Sequence, residues 1–147
     1  MKMSTKGRYA VQILLSIARF QKNGPVSKKI IAGEEGISPD YIEQIIVPLK
    51  TAGFCVGIRG VKGGFKLVKE PEEITVFQIL RASEGVMKLG DCECLDCQGK
   101  DKNKCVTLPL WAGAVKVLEE YFSKITLRDL LDRVDEIERS DATTYTI

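Results

Sequence analysis

The chain has 147 residues, 44% of them hydrophobic, enough for one domain or two very small ones to bury a core without disulfide staples. Its formal net charge of +2 is close to neutral, so composition alone does not announce a nucleic-acid binder and any basic surface must come from local clustering. No stretch approaches membrane-spanning length, and the basic, apolar start is interrupted by Arg8 and Gln12 with no small-residue cleavage site after it, which together predict a cytoplasmic protein with no membrane partner.

Tyr9, Ala10, Ile13, Leu14 and Ile17 recur at helical spacing after Ser4 and Thr5, predicting an amphipathic helix from about Thr5 to Gln21 that "KNGP" ends. Ser27 is placed to cap a short helix containing Ile30 and Ile31, with Gly33 and Gly36 at its exit. Ser38-Pro39-Asp40 then restarts a helix with a capping hydroxyl, a proline at the first helical position and an acid in the first turn. Ile42, Ile45, Ile46 and Leu49 form its inward face, Pro48 is expected to bend or loosen its last turn, and Gly53 stops it. Two short helices joined by a Gly-bearing turn outline a helix-turn-helix.

After Gly53 the period changes. "FCVGIRG" and "GGFKLVK" read as two short strands joined by a glycine-rich turn that carries Arg59 and Lys62 at its tip. Such a hairpin is a wing, able to track phosphates while the preceding helix enters the major groove. A basic hairpin on an unrelated domain, or a protein-binding winged helix, is the competing reading.

The second half opens with a short helix capped at Thr75, with Val76, Ile79 and Leu80 inward. Next comes "GDCECLDCQGKDKNKC", which holds four of the five cysteines. From Thr107 to Ile125 a long helix is expected, with one apolar stripe of Trp111, Val115, Leu118, Phe122 and Ile125 and a second of Leu110, Ala114, Val117 and Tyr121. One stripe docks a helix on its own domain, so two predict a partner, with a wholly buried helix in a monomer as the competing reading, and a homodimer would double the DNA read by a single winged helix. "TLRDLLDRV" reads as one further short helix, and the tail from Ser140 as poorly ordered. The expected fold is thus mainly α with a small β-wing. Residues 1–73 form a winged helix-turn-helix, residues 74–139 the cysteine segment and dimerisation helices, and residues 140–147 a tail.

The stretches "STKGRYAVQILLSIA", "GISPDYIEQII" and "LKTAGFCVGIRGVKGGFKL", followed by a cysteine loop before a long helix, resemble the IscR/NsrR family of bacterial winged-helix transcription regulators. The likeness runs from Ser4 to about Val134. It implies a homodimer on a palindromic double-stranded DNA operator, repressor activity among its members and, in cluster-binding members, three cysteines that hold an iron-sulfur cluster. It also implies regulation of some members by a docked metabolic enzyme.

By position Cys92, Cys97 and Cys105 match those three cysteines. The histidine that serves several relatives as fourth ligand is replaced by Leu108, and an acidic N-terminal ligand used by others is replaced by Arg8. Cys94 is the natural fourth thiolate, and the cluster expected is of the 2Fe-2S type. Clustered thiolates in a reducing cytosol suit such a soft metal centre, a structural zinc, or a metal-free thiol switch. Cys55, between Phe54 and Val56 in a strand, reads as a packed small hydrophobe.

On the DNA side, Ser38, Tyr41, Glu43 and Gln44 occupy the exposed start of the second helix of the motif, where Glu can accept from cytosine N4 and Gln can pair with adenine. Arg59 is the principal wing contact, with Lys6, Arg8 and Lys62 as phosphate contacts, while Lys28 and Lys29 read as a solvated face. With no histidine, no phosphate-cradling loop and no nucleophile elbow, an enzyme is not expected. An iron-sulfur scaffold or electron carrier is the alternative from another class, and it would leave the wing idle.

Overall fold

Ser4 starts the first helix: its Oγ accepts the Gly7 N–H at 3.2 Å. Helix α1 (Thr5–Phe20) then buries Ala10, Ile13, Leu14 and Ile17 completely, four of the five positions that its apolar spacing picks out, while the fifth, Tyr9, is half-buried. The structure, a computed structural model, describes residues 4–87 and 107–144. A single 3-10 turn (Gln21–Asn23) leads to α2 (Lys28–Glu35), capped by Ser27 and closed by Gly36 in the left-handed conformation at φ 65°. Helix α3 (Pro39–Thr51) follows with Ser38 as its cap, Pro39 in its first turn and Ile42, Ile45, Ile46 and Leu49 buried. Pro48 is accommodated inside α3, which continues to Thr51.

Strands β1 (Cys55–Ile58) and β2 (Gly64–Leu67) pair antiparallel, with Cys55 opposite Leu67 and Ile58 opposite Gly64. The wing is anchored at its base. Val26 and Phe65 exchange both backbone hydrogen bonds at 2.8 Å, tying β2 to the connection that leads into α2. Gly64 makes this approach feasible, because a Cβ there would lie 2.3 Å from the Val26 carbonyl oxygen.

Helix α4 (Val76–Glu84) begins with a reciprocal capping box between Thr75 and Gln78 and packs against α1. Helix α5 (Leu108–Ser123) ends before Ile125, which lies in the turn to α6 (Leu127–Thr144). At this turn the chain returns to the first half: the Val76 N–H donates to the Ile125 carbonyl at 2.9 Å and the Leu127 N–H to the Ile74 carbonyl at 2.8 Å. Leu127 is completely buried and joins the same core cluster as Ala10, Ile13, Ile17, Ile74 and Ile79, so one apolar core runs across both halves of the chain.

Two sequence expectations need correction. The segment beginning "TLRDLLDRV" is not a short helix but the start of an 18-residue one, longer than α5 with its 16 residues. Residues 140–144, expected to begin a poorly ordered tail, are helical, since α6 continues to Thr144. The reason lies in composition and anchoring: apolar spacing fades after Val134, but the residues beyond it include good helix formers, and Arg19 of α1 forms an ion pair with Glu138. The expected fold class holds, mainly helical with a two-stranded wing.

Candidate nucleic-acid interface

Helix α3 turns its apolar residues into the core and leaves Ser38, Glu43 and Gln44 exposed. Ser38 uses a lone pair of its hydroxyl to accept the Tyr41 N–H at 3.3 Å, which leaves its O–H available to donate outward. Tyr41 is half-buried and meets Tyr9 of α1 edge to face at 5.8 Å, so its ring fastens α3 to α1 as well as flanking the exposed face.

Arg59 and Lys62 sit exposed at the tip of the wing, around the turn in which the Gly63 N–H donates to the Gly60 carbonyl at 3.0 Å. Gly60 has φ 120°, a conformation that L side chains rarely adopt. Between wing and α3 runs an open groove of about 330 Å³ lined by Lys28, Glu43, Lys50, Ile58, Arg59 and Phe65, among others. Lys6 and Arg8 are exposed on the first turns of α1. The structure thus gathers Glu43 and Arg59 along one groove; the α1 cations lie on another element.

Sequence reasoning missed two residues of this groove. Lys28 is more than a solvated face, because its ammonium is ion-paired with the Glu43 carboxylate across α2 and α3. Lys50, in the last turn of α3, reaches over the wing, with its Nζ 3.6 Å from where a Cβ on Gly57 would stand. No sequence signal marks it, because its proximity to β1 depends on the fold of the hairpin.

Cys55 is buried, as its strand position suggested, and burial pushes its thiol up to about 11 while the charge of Lys50 opposes the shift. It is therefore a neutral packed thiol. Cys92, Cys94, Cys97 and Cys105 lie outside the described residues. Among the described residues no group of three His, Cys, Asp or Glu side chains is arranged to hold a metal ion. No helix among them is long and apolar enough to cross a membrane.

Helix α5 buries none of its residues. Val115, Leu118 and Phe122 of the first stripe are half-buried although its Trp111 is exposed, and Leu110, Val117 and Tyr121 of the second are exposed although its Ala114 is half-buried, so the second stripe is the more uncovered of the two. Turn contacts keep its far end in place. The Glu72 carboxyl is held below its ordinary range by a hydrogen bond from Arg128, and that of Asp129 by the backbone N–H and the hydroxyl of Thr126.

An exposed helix beside a basic β-hairpin, with a preceding helix crossing behind, defines a winged helix-turn-helix of the kind that reads DNA. A family model described as "Rrf2: Iron-dependent Transcriptional regulator" matches residues 3–133. The chain belongs to the Rrf2 family of transcriptional regulators. It is 36% identical over 135 residues to the HTH-type transcriptional regulator CymR of Bacillus subtilis, spanning 92% of this chain and 93% of that one. The solved structure of that protein, described as the global cysteine regulator, superposes with a TM-score of 0.74 over 90% of this chain and 98% of the other. The IscR regulator of Yersinia enterocolitica is 32% identical over 142 residues, 96% of this chain and 85% of that protein. The structure of T. potens IscR gives a TM-score of 0.75 at 37% identity, covering 93% of this chain and 90% of its own.

Proposed function

We propose that the chain acts in the cytoplasm as a homodimeric repressor that reads a palindromic operator with α3 and the wing. Its affinity is set by an iron-sulfur cluster of the 2Fe-2S type on Cys92, Cys94, Cys97 and Cys105. The observation that carries the DNA part is the single groove on which Glu43 and the Arg59 wing converge beside Lys28 and Lys50. In this reading Ser38, Tyr41, Glu43 and Gln44 face base edges and Arg59 enters the minor groove or meets phosphates. Lys6, Arg8 and Lys62 add phosphate contacts. The exposed stripe Leu110, Val117 and Tyr121 pairs with its counterpart in a second copy.

The donor chemistry fits such a cluster: four cysteines lie within residues 92–105, the chain has no histidine, and Arg8 stands at the N-terminal position where an acid would be needed. When bound, the cluster would supply a centre sensitive to iron and oxidation state. The family description as iron-dependent and the likeness to IscR support the reading. A second reading, metal-free thiol chemistry on the same cysteines, is favoured by the likeness to a protein described as a global cysteine regulator. Anaerobic purification followed by absorption spectroscopy and metal analysis separates them. Visible absorption with stoichiometric iron and sulfide supports the cluster, whereas stoichiometric zinc in a colourless protein, or no metal at all, rejects it.

A further inference from the structure

Glu43 is the one acid among the described residues that line the groove, facing Lys50 and Arg59 on a surface meant for phosphates. Alone, a carboxylate there weakens binding to every sequence and recovers the loss only opposite a base that offers an amino donor, such as cytosine N4. It would act as a strict filter. In this chain, however, the Lys28 ammonium is paired with Glu43 Oε1, leaving Oε2 as the free acceptor.

The pairing is imposed by the backbone. Lys28 is the first residue of α2, fixed by the Ser27 cap, and Glu43 lies in the second turn of α3, fixed by the Ser38 cap; the two helices pack against each other. Both side chains are partly exposed, at 34% for Lys28 and 60% for Glu43, so the pair remains accessible to a docked duplex.

Building on the DNA-reading proposal, we propose that Lys28 is a specificity-tuning residue. Its ion pair with Glu43 offsets the acid's charge before DNA arrives and so relaxes the discrimination Glu43 imposes at its base position. Lys28 acts through Glu43; it positions and neutralises the reader and does not itself read a base. Removing the ammonium while keeping its aliphatic stem exposes the filter. Lys28→Met therefore weakens binding to sequences without an amino donor more than to sequences with one, and cytosine preference at that position sharpens by about two- to fivefold, the scale of one exposed ion pair.

The experiment is selection of duplexes from a randomised DNA library by the full-length protein, sequenced to give a base-preference profile. Wild type, Lys28→Met, Lys28→Arg, Glu43→Gln and the Lys28→Met/Glu43→Gln double variant are compared at fixed salt. The expected result is a sharper cytosine preference for Lys28→Met, the wild-type profile for Lys28→Arg, and identical profiles for Glu43→Gln with and without Lys28→Met. An equal loss of affinity at all bases in both backgrounds would make Lys28 a plain phosphate contact and overturn the inference while leaving the DNA-reading proposal intact. A broadened cytosine preference overturns it as well. Wild-type protein that enriches no sequence overturns both.

Discussion

Gly64→Ala is the most direct test of how the wing is held. An added Cβ would stand 2.3 Å from the Val26 carbonyl oxygen, 2.5 Å from its carbon and 2.8 Å from the Ser27 nitrogen, all of them backbone atoms that cannot swing aside. Relief requires separating β2 from the chain before α2, which breaks the two hydrogen bonds between Val26 and Phe65. At roughly 1 kcal/mol net for each bond, with some uncovering of the buried Val26, the cost comes to about 2–4 kcal/mol. Because Lys28 follows two residues after Val26, the same displacement shifts the groove, and affinity for operator DNA falls with stability. Gly33→Ala is the control: nothing lies within 4 Å of its added Cβ, and this exposed α2 position gains about 1 kcal/mol from helix propensity. Urea unfolding at fixed protein concentration gives the stabilities and fluorescence anisotropy with labelled duplex the affinities. Gly64→Ala within about 0.5 kcal/mol of wild type, with unchanged DNA binding, would refute the close-approach argument.

Leu127→Ala removes a completely buried side chain at the joint between the two halves and should cost about 2–5 kcal/mol in the same urea assay. Val117→Glu combined with Tyr121→Glu places charges on the exposed stripe of α5 and should yield monomers in sedimentation without loss of helical content; a persistent dimer would move the interface elsewhere. In a variant with Cys92, Cys94, Cys97 and Cys105 changed to serine, iodoacetamide at about pH 8 should label Cys55 far more slowly in the folded chain than in urea, because its raised pKa keeps the thiol protonated. Asp129 has a depressed pKa, so its stabilising effect is present above its unfolded value and disappears as pH falls through the folded one. Asp129→Asn should therefore lose less stability than wild type on acidification below about pH 4, measured by thermal melts.

What the sequence showed plainly was whatever is written locally. Ser4, Ser27, Ser38 and Thr75 are all helix caps in the structure, and the glycines flanking Lys62 form the wing turn. Pairings between elements were hidden. Lys28 and Glu43 are 15 positions apart, and only the packing of α2 on α3 makes them partners. The two stripes of α5 look equivalent in one dimension; in the fold α5 packs against α4, and Val115 and Leu118 are half-covered while Val117 and Tyr121 are not. The reach of α6 was underestimated because an exposed helix held partly by ion pairs of its Glu138 with Arg19 and its Arg128 with Glu72 has no apolar period beyond Val134 to announce its length.

The return of the chain at Thr126 has a consequence for cutting and grafting. The small β-bridge to Thr75 and the seating of Leu127 mean that the DNA-reading half is sealed by a residue some forty positions beyond its last helix, α4. A fragment ending near Gly85 would open a cavity beside Ile74 and leave that residue's carbonyl without its partner, both inside a core too small to absorb the loss. Any chimera that transplants this winged helix onto another sensory module must therefore carry a substitute for Leu127.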